Sequence, residues 1–418
     1  MIMRHPRLML GALLFINVLA YVDRSMLFAF APQITRDIAL DNTQFGFLSG
    51  AVWVLSYSVM VLVFGTLADR FSRTRIIAGG MLVWSLCTAA SGMAQDFGHL
   101  VLARLLVAAG EAALGPSATA LLADLFDSRH RSTANGLFFM GIPLGIGCAY
   151  MLSGTIGPTL GWRGTFIALG VIGALIALCL APIRDERVAA AQEPQMRALL
   201  TVLREQPAVM LVIGGFVLVH LVHAQGSFIQ LWLVRERGAS EAAMAQQLGM
   251  LQIVFGCLGA AGGGLAADRL ARGMRSRLAA FPAFTLLVCL PLMIASRFAD
   301  LHSPFLYAGV GATFFVCFAL YGSSLNLIQG SVPHRMLASV VGFTMMSINI
   351  FAVALGTLAL GFASDRLGAA GHQHPIGTVL LGTDALICLA VLLYGLAARS
   401  IARSQASRAE SAPGQAGA

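Results

Sequence analysis

Lysine is missing altogether: the 27 basic residues of this 418-residue chain are all arginine. The absence removes amine nucleophiles and Schiff-base chemistry, and it reads as a compositional bias rather than as a device. Charge of either sign is scarce. Only 11% of the residues are charged, where a soluble domain carries about 25%, so the chain cannot cover a globule with a solvated surface. The seven cysteines (Cys87, Cys148, Cys179, Cys257, Cys289, Cys317, Cys388) show neither pairing nor metal-ligand spacing. They read as small core hydrophobes, and no metal site is expected. No basic stretch is interleaved with aromatics, so nucleic acid is not an expected partner. No nucleophile, base and orienting group fall into register, so an enzyme is not expected. The glycine run from Gly259 to Gly264 follows no strand and precedes no lysine. It is a helix-packing sequence rather than a phosphate loop, and no cofactor is expected.

What is abundant is apolar length. The chain is 58% hydrophobic with a mean hydropathy of +0.80, and a helix needs about 20 apolar residues to cross the hydrocarbon of a bilayer. Twelve runs meet that length, near 8–32, 44–68, 76–95, 98–124, 133–157, 163–183, 207–234, 242–267, 278–296, 302–331, 337–365 and 377–401. Only Arg4 and Arg7 precede the first run, and no small-residue cleavage site closes it, so it is expected to stay as a helix rather than leave as a signal peptide. With the N-terminus inside, nineteen arginines fall on cytoplasmic segments, six on outer ones, and two, Arg24 and Arg104, within helices. That bias supports both termini inside, and a bacterial inner membrane is the expected location. The net charge of +8 then reports topology and contact with anionic lipid.

One long polar segment interrupts the pattern between Pro182 and Pro207, and it divides the spans six and six. The expected organisation is a six-helix bundle over 1–183, a cytoplasmic linker over 184–206, a second six-helix bundle over 207–403 and a disordered cytoplasmic tail over 404–418. The halves echo each other. Gly65-Thr66-Leu67-Ala68-Asp69-Arg70, followed by Arg73 and Arg75, closes the second run. Gly264-Leu265-Ala266-Ala267-Asp268-Arg269, followed by Arg272, Arg275 and Arg277, closes the eighth with identical spacing. Internal repeats of this kind belong to secondary transporters. Gly65 is expected to allow close helix approach, and Asp69 to accept from a neighbouring helix N-terminus or basic side chain, so Gly65, Asp69, Arg70, Arg73, Gly264, Asp268 and Arg269 form a candidate conformational latch. A third copy, Gly361 to Arg366, falls on the expected outer face. It reads as coincidence or as a simple interfacial cap.

Together these features resemble the major facilitator superfamily, whose fold has twelve transmembrane helices in two pseudo-symmetric six-helix bundles and whose signature loop matches residues 65–75 and 264–277. The fold class implied is an all-α membrane protein. Three stretches resemble the spinster-like branch and its bacterial relatives: Tyr21-Val22-Asp23-Arg24, Arg104 through Gly110-Glu111-Ala112, and Ala123-Asp124-Leu125-Phe126 through Arg131 to Ile142-Pro143-Leu144-Gly145-Ile146-Gly147. The first two are shared with the anion:cation symporter branch, and Ile142-Pro143-Leu144-Gly145 favours the spinster-like one. The Gly-Pro-x-x-Gly-Gly sequence of drug exporters is absent from the fifth run.

Four ionised groups lie inside lipid-length helices. A charge at bilayer depth is costly unless it faces a partner or water, which makes it a functional-site hypothesis by default. Arg104 and Glu111 are seven residues apart, so they share one helix face about 10 Å apart along the axis. In the superfamily fold the first and fourth helices border the central cavity, so Asp23, Arg24, Arg104 and Glu111 are expected to converge there. A carboxyl group moved between wet and dry surroundings gains and loses a proton, which suits Asp23 and Glu111 to proton coupling. A guanidinium binds carboxylate or phosphate bidentately, which suits Arg24 and Arg104 to anion binding or to partnering the acids. The competing reading is static buried pairs that fix helix packing. His220 and His223 lie near the position that the repeat offset from Asp23 indicates, and with Tyr57, Tyr321, Asn326 and Asn349 they are candidate cavity-lining groups; interhelical hydrogen bonding is the plainer role for each. Asp384 lies near the outer end of the last run, where hydration makes its charge inexpensive.

The expected protein is a proton-coupled secondary active transporter working by alternating access, monomeric, with membrane lipids, protons and a small-molecule or lipid-like substrate as partners. The spinster-like resemblance implies an amphipathic anion of lysophospholipid type, and the symporter resemblance a small organic acid. A non-transporting sensor or scaffold is the alternative of another class.

Overall fold

The computed structural model describes residues 6–182, 204, 206–271, 275–332 and 337–410. Its helices include twelve long and apolar enough to cross a membrane: α1 Pro6–Ala29, α2 Asn42–Gly65, α3 Arg73–Gly92, α4 Phe97–Leu122, α5 Thr133–Thr155, α6 Gly157–Leu180, α7 Pro207–Arg235, α8 Glu241–Ala267, α9 Leu278–Phe298, α10 Pro304–Gln329, α11 Ser339–Ala369 and α12 Pro375–Arg403. Each apolar run of the sequence becomes one of these spans to within a few residues. No strand occurs among the described residues, as expected where every backbone polar group must be satisfied within its own helix. Asp96 and Asp127 cap helix starts by accepting from the backbone N–H of His99 and His130, filling donors that the helix itself leaves open.

The spans are not uniform rods. The helix of α4 stops at Glu111 and resumes at Leu114. α5 is broken at Met140 and α7 at Gln225. π-helical turns interrupt α2 at Phe47–Ala51 and α11 at Ile348–Ala354.

The chain forms two compact units. The first comprises Met1–Gln192, Gln225–Val254 and Val353–Val379; the second comprises Glu193–Ala224, Phe255–Ala352 and Leu380–Ala418. In the first unit Met9, Leu13, Ile16, Met81, Trp84, Val107, Leu121 and Phe138 pack α1, α3, α4 and α5 around one core. Elsewhere large apolar side chains point outward, Leu62, Phe284 and Phe298 being 72%, 67% and 71% exposed. That is the inverse of a soluble surface and the expected face toward lipid.

Several details differ from the expectations above. Among the described residues nothing lies within 4 Å of where a Cβ on Gly65 or on Gly264 would sit, so none of them makes the close approach expected at Gly65. The side chains of Asp69, Arg70 and Asp268 lie outside the described residues, and Arg269 is exposed. Arg73 is buried and pairs with Asp124, which follows α4. Asp384 is not hydrated: it is fully buried, and Arg297 of α9 meets it through Nε at 2.8 Å and a terminal nitrogen at 3.3 Å. A position near a span end looks wet in sequence, but the neighbouring helix supplies a counter-charge instead. Cys289 and Cys317 are buried, whereas Cys179 and Cys388 are exposed rather than core. The third Gly-x-x-x-Asp-Arg sequence makes specific contacts: Asp365 receives hydrogen bonds from Asn42 and Thr43 at the start of α2.

Candidate functional site

Asp23, Arg24, Arg104 and Glu111 all belong to the first compact unit, and three elements position them. Gly145 of α5 lies so close to α1 that a Cβ there would collide with the side chain of Tyr21 and the carbonyl oxygen of Val18. The Ile142-Pro143-Leu144-Gly145 sequence therefore seats α1 one turn before Asp23 and Arg24. Asn17 fixes the same pair of helices by donating to the carbonyl oxygen of Phe138 at 2.7 Å. On α4, Arg104 donates to the main-chain carbonyl oxygens of Asp23 at 3.3 Å and Arg24 at 3.2 Å. Its charge thus joins α4 to the backbone of α1 rather than to a carboxylate.

Asp23, Arg104 and Glu111 are 4%, 5% and 6% exposed. Among the described residues neither Arg24 nor Arg104 forms a salt bridge within 4.0 Å. Glu111 stands where the α4 helix breaks. Its Oε2 accepts from the indole Nε1 of Trp53 on α2 at 2.7 Å, while no side chain or backbone group among the described residues bonds its buried Oε1. The face of the same indole carries Arg24, whose guanidinium carbon lies 3.5 Å from the ring centroid. Tyr21 lies 5.8 Å from that guanidinium, and Tyr57 stacks on Trp53 at 4.2 Å. One tryptophan therefore touches an acid by its edge and a base by its face.

These groups open onto a cavity. Asn17, Ala20, Tyr21 and Arg24 of α1, Trp53 and Tyr57 of α2, Glu111 and Leu114 to Gly115 of α4, and Phe138 and Phe139 of α5 line it. Asp23 and Arg104 stand behind the wall rather than in it. The lining holds one guanidinium, one carboxyl group, one amide and two phenols among aromatic and aliphatic surfaces. Such a lining is chemically suited to an anion carrying an apolar body.

Of the remaining candidates, His220, His223, Tyr321, Asn326 and Asn349 belong to the second unit. There His220 is bonded through Nδ1 to the carbonyl oxygen of Phe216 at 2.9 Å and packs edge-on against that ring. Tyr321 lies 6.1 Å from the His220 ring and directs its hydroxyl at the Met345 sulfur. His223 meets Phe318 edge-on. Asn326 and Asn349 are partly exposed. Among the described residues no group of three or more His, Cys, Asp or Glu side chains could hold a metal ion.

Trp53 was not visible from sequence. A tryptophan in an apolar span is unremarkable by composition, and only the spacing of Trp53 and Tyr57, four residues apart on one face, could have drawn attention to it.

Comparison with known proteins places this geometry in context. The Major Facilitator Superfamily profile matches residues 13–357. An MFS-type efflux pump of Mycolicibacterium smegmatis is 26% identical over 389 residues, covering 91% of this chain and 89% of that protein. Protein spinster of Drosophila melanogaster is 28% identical over 388 residues, covering 88% of this chain but 60% of the longer fly protein. Among solved structures, a bacterial homologue of the human lysosomal transporter spinster, in an inward-facing and unoccupied conformation, superposes with a TM-score of 0.82 at 22% identity, covering 95% of this chain and 98% of that one.

Proposed function

The chain belongs to the Major Facilitator Superfamily, and from that premise we propose that it couples proton movement to the passage of an amphipathic organic anion, with Glu111 and Asp23 carrying the proton and Arg24 receiving the anion. It is an integral membrane transporter related to the spinster proteins. The finer reading rests on one observation: the carboxyl group of Glu111 is buried, takes one donor at Oε2 and, among the described residues, none at Oε1. An ionised carboxylate needs donors at both oxygens, and a buried charge without them is costly. Protonation removes the charge, so the oxygen without a partner then costs only what a neutral buried polar group costs. A group held in this way, at the wall of a cavity whose hydration changes through a transport cycle, is suited to exist in both forms.

Arg24 supports the anion half of the proposal. It is held by aromatic faces rather than by a carboxylate, and a guanidinium held through its face keeps its in-plane N–H groups for a bidentate partner. Trp53 links the two events, because withdrawal of Arg24 toward an anion and loss of charge on Glu111 both change what the indole touches. Arg104 serves as the joint between α1 and α4. The signature sequences at 65–75 and 264–277 work as the latch on the cytoplasmic side, with Arg73 and Asp124 as a contact within it. The arginine bias orients the protein with both termini in the cytoplasm, in a bacterial inner membrane, and it works as a monomer.

The aromatic lining suits a lysophospholipid headgroup entering with its chain beside Phe138 and Phe139, and this is the first reading. The second, a small organic acid, is favoured by the single guanidinium facing one compact cavity. Thermal stabilisation of the purified protein by lysophosphatidylglycerol and by phenylacetate, at two pH values, separates them: the first reading expects the larger shift with the lysolipid. The coupling is tested in proteoliposomes with a stabilising ligand from that panel. Asp23→Asn and Glu111→Gln are expected to lose pH-gradient-driven transport while retaining counterflow, and gradient-driven transport at wild-type rate in both variants would sink the proposal.

A further inference from the structure

We propose that Asp365, the acid of the third Gly-x-x-x-Asp-Arg sequence, is a releasable latch that holds α11 against the start of α2 and keeps closed the membrane face opposite the start of α1. One carboxylate here receives four hydrogen bonds. Oδ1 accepts from the backbone N–H of Asn42 at 3.1 Å and from its side-chain amide at 2.8 Å. Oδ2 accepts from the backbone N–H of Thr43 at 2.7 Å and from its hydroxyl at 2.6 Å. The next N–H, that of Gln44, is taken by Asp41 within a capping box. The open donors of the first turn of α2 are thus divided between a local acid and one supplied by a distant helix. An acid at a helix N-terminus is further favoured by the aligned peptide dipoles.

The contact continues along both helices at a spacing of four. Asp365, Gly361, Thr357 and Val353 follow one another along one face of α11, opposite Asn42, Gly46 and Gly50 of α2. A Cβ on Gly361 would collide with the carbonyl of Asn42, and one on Gly46 or Gly50 would collide with Thr357 or Val353. The hydroxyl of Thr357 donates to the carbonyl oxygen of Gly46 at 2.8 Å. Both helices carry a π-helical turn beside this line, and such turns are commonly found where helices act rather than merely span. Backbone lies against backbone here, with a carboxylate closing the end.

Two features make the contact releasable. Asp365 is only partly buried, so water can take over each of its four hydrogen bonds as the helices part, and the net cost is far below the gross strength of the bonds. The neighbouring contacts at the same face are also polar: Arg235 of α7 donates to Asn42 and Thr35, and Arg36 pairs with Glu241 of α8 at 2.8 Å. Opening exposes the apolar contact of Phe45 with Phe228 of α7, but the polar end of the seam at Asp365 exchanges its partners for water.

The proposal requires neither the substrate nor the coupling ion suggested above, and it is tested on purified full-length protein without ligand. Hydrogen–deuterium exchange is followed in the segment 42–46, which Asp365 touches, and in the segment 241–246, which it does not. A mere local cap would alter only the first. Asp365→Ala is expected to accelerate exchange in both segments, by about tenfold or more, since a charge-assisted hydrogen bond is worth a tenfold factor or above. Thr43→Val, which removes one donor and leaves the backbone bonds, is expected to act in the same direction and more weakly, and it serves if the alanine variant does not fold. Acceleration confined to 42–46, or no acceleration in either segment, overturns the latch.

Discussion

Glu111 takes one donor and leaves its second carboxyl oxygen bare, and the donor comes from Trp53, the residue that also carries Arg24. Trp53→Phe separates the two roles, because the ring face under Arg24 survives and the N–H to Glu111 does not. The pH dependence of transport is expected to move toward higher pH, since the ionised acid loses the hydrogen bond that favours it. The KM for the anion is expected to stay within about twofold, the residual cation–π attraction being similar. An unaltered pH profile would show that Trp53 does not act through Glu111. The charged residues were legible in the sequence because an ion in a lipid-length apolar run is an energetic anomaly wherever it points. Trp53 was not, because its importance lies in which edge and which face are used, and hydropathy carries no orientation.

At the scale of the helix, the reading of twelve apolar runs anticipated the spans closely because length and hydropathy are properties of one segment at a time. What lies opposite a segment is a property of two. Gly65 reads as a close-packing glycine and has nothing beside it among the described residues, while Gly361, in the copy read as coincidence or a simple interfacial cap, has the backbone of α2 against it. Asp384 looked hydrated and is sealed by Arg297. This last pair makes a prediction about α9 and α12. Arg297→Leu strands a buried carboxylate and is expected to destabilise the protein by roughly 3–5 kcal/mol, whereas Arg297→Met combined with Asp384→Leu is expected to remain near wild type. Thermal unfolding in detergent measures both; equal losses in the single and double variants would mean that the pair itself holds these helices together.

Over the whole molecule, the proposed orientation rests on the arginine count rather than on any single helix. A fluorescent protein that matures only in the cytoplasm, fused after Ala418, is expected to fluoresce, while an alkaline phosphatase at the same place is expected to be inactive; the reverse pattern would turn the molecule over. The orientation also decides which face Asp365 closes. Arg104 grips the carbonyl oxygens of Asp23 and Arg24, atoms that every amino acid possesses. Substitution at Arg24, the one of the two that lines the cavity, leaves the fastening of α1 to α4 in place, so the chemistry presented to the cargo can be rewritten while the moving frame stays assembled. Appetite for a new compound is therefore open to single-step mutation, without a detour through an unfolded intermediate genotype.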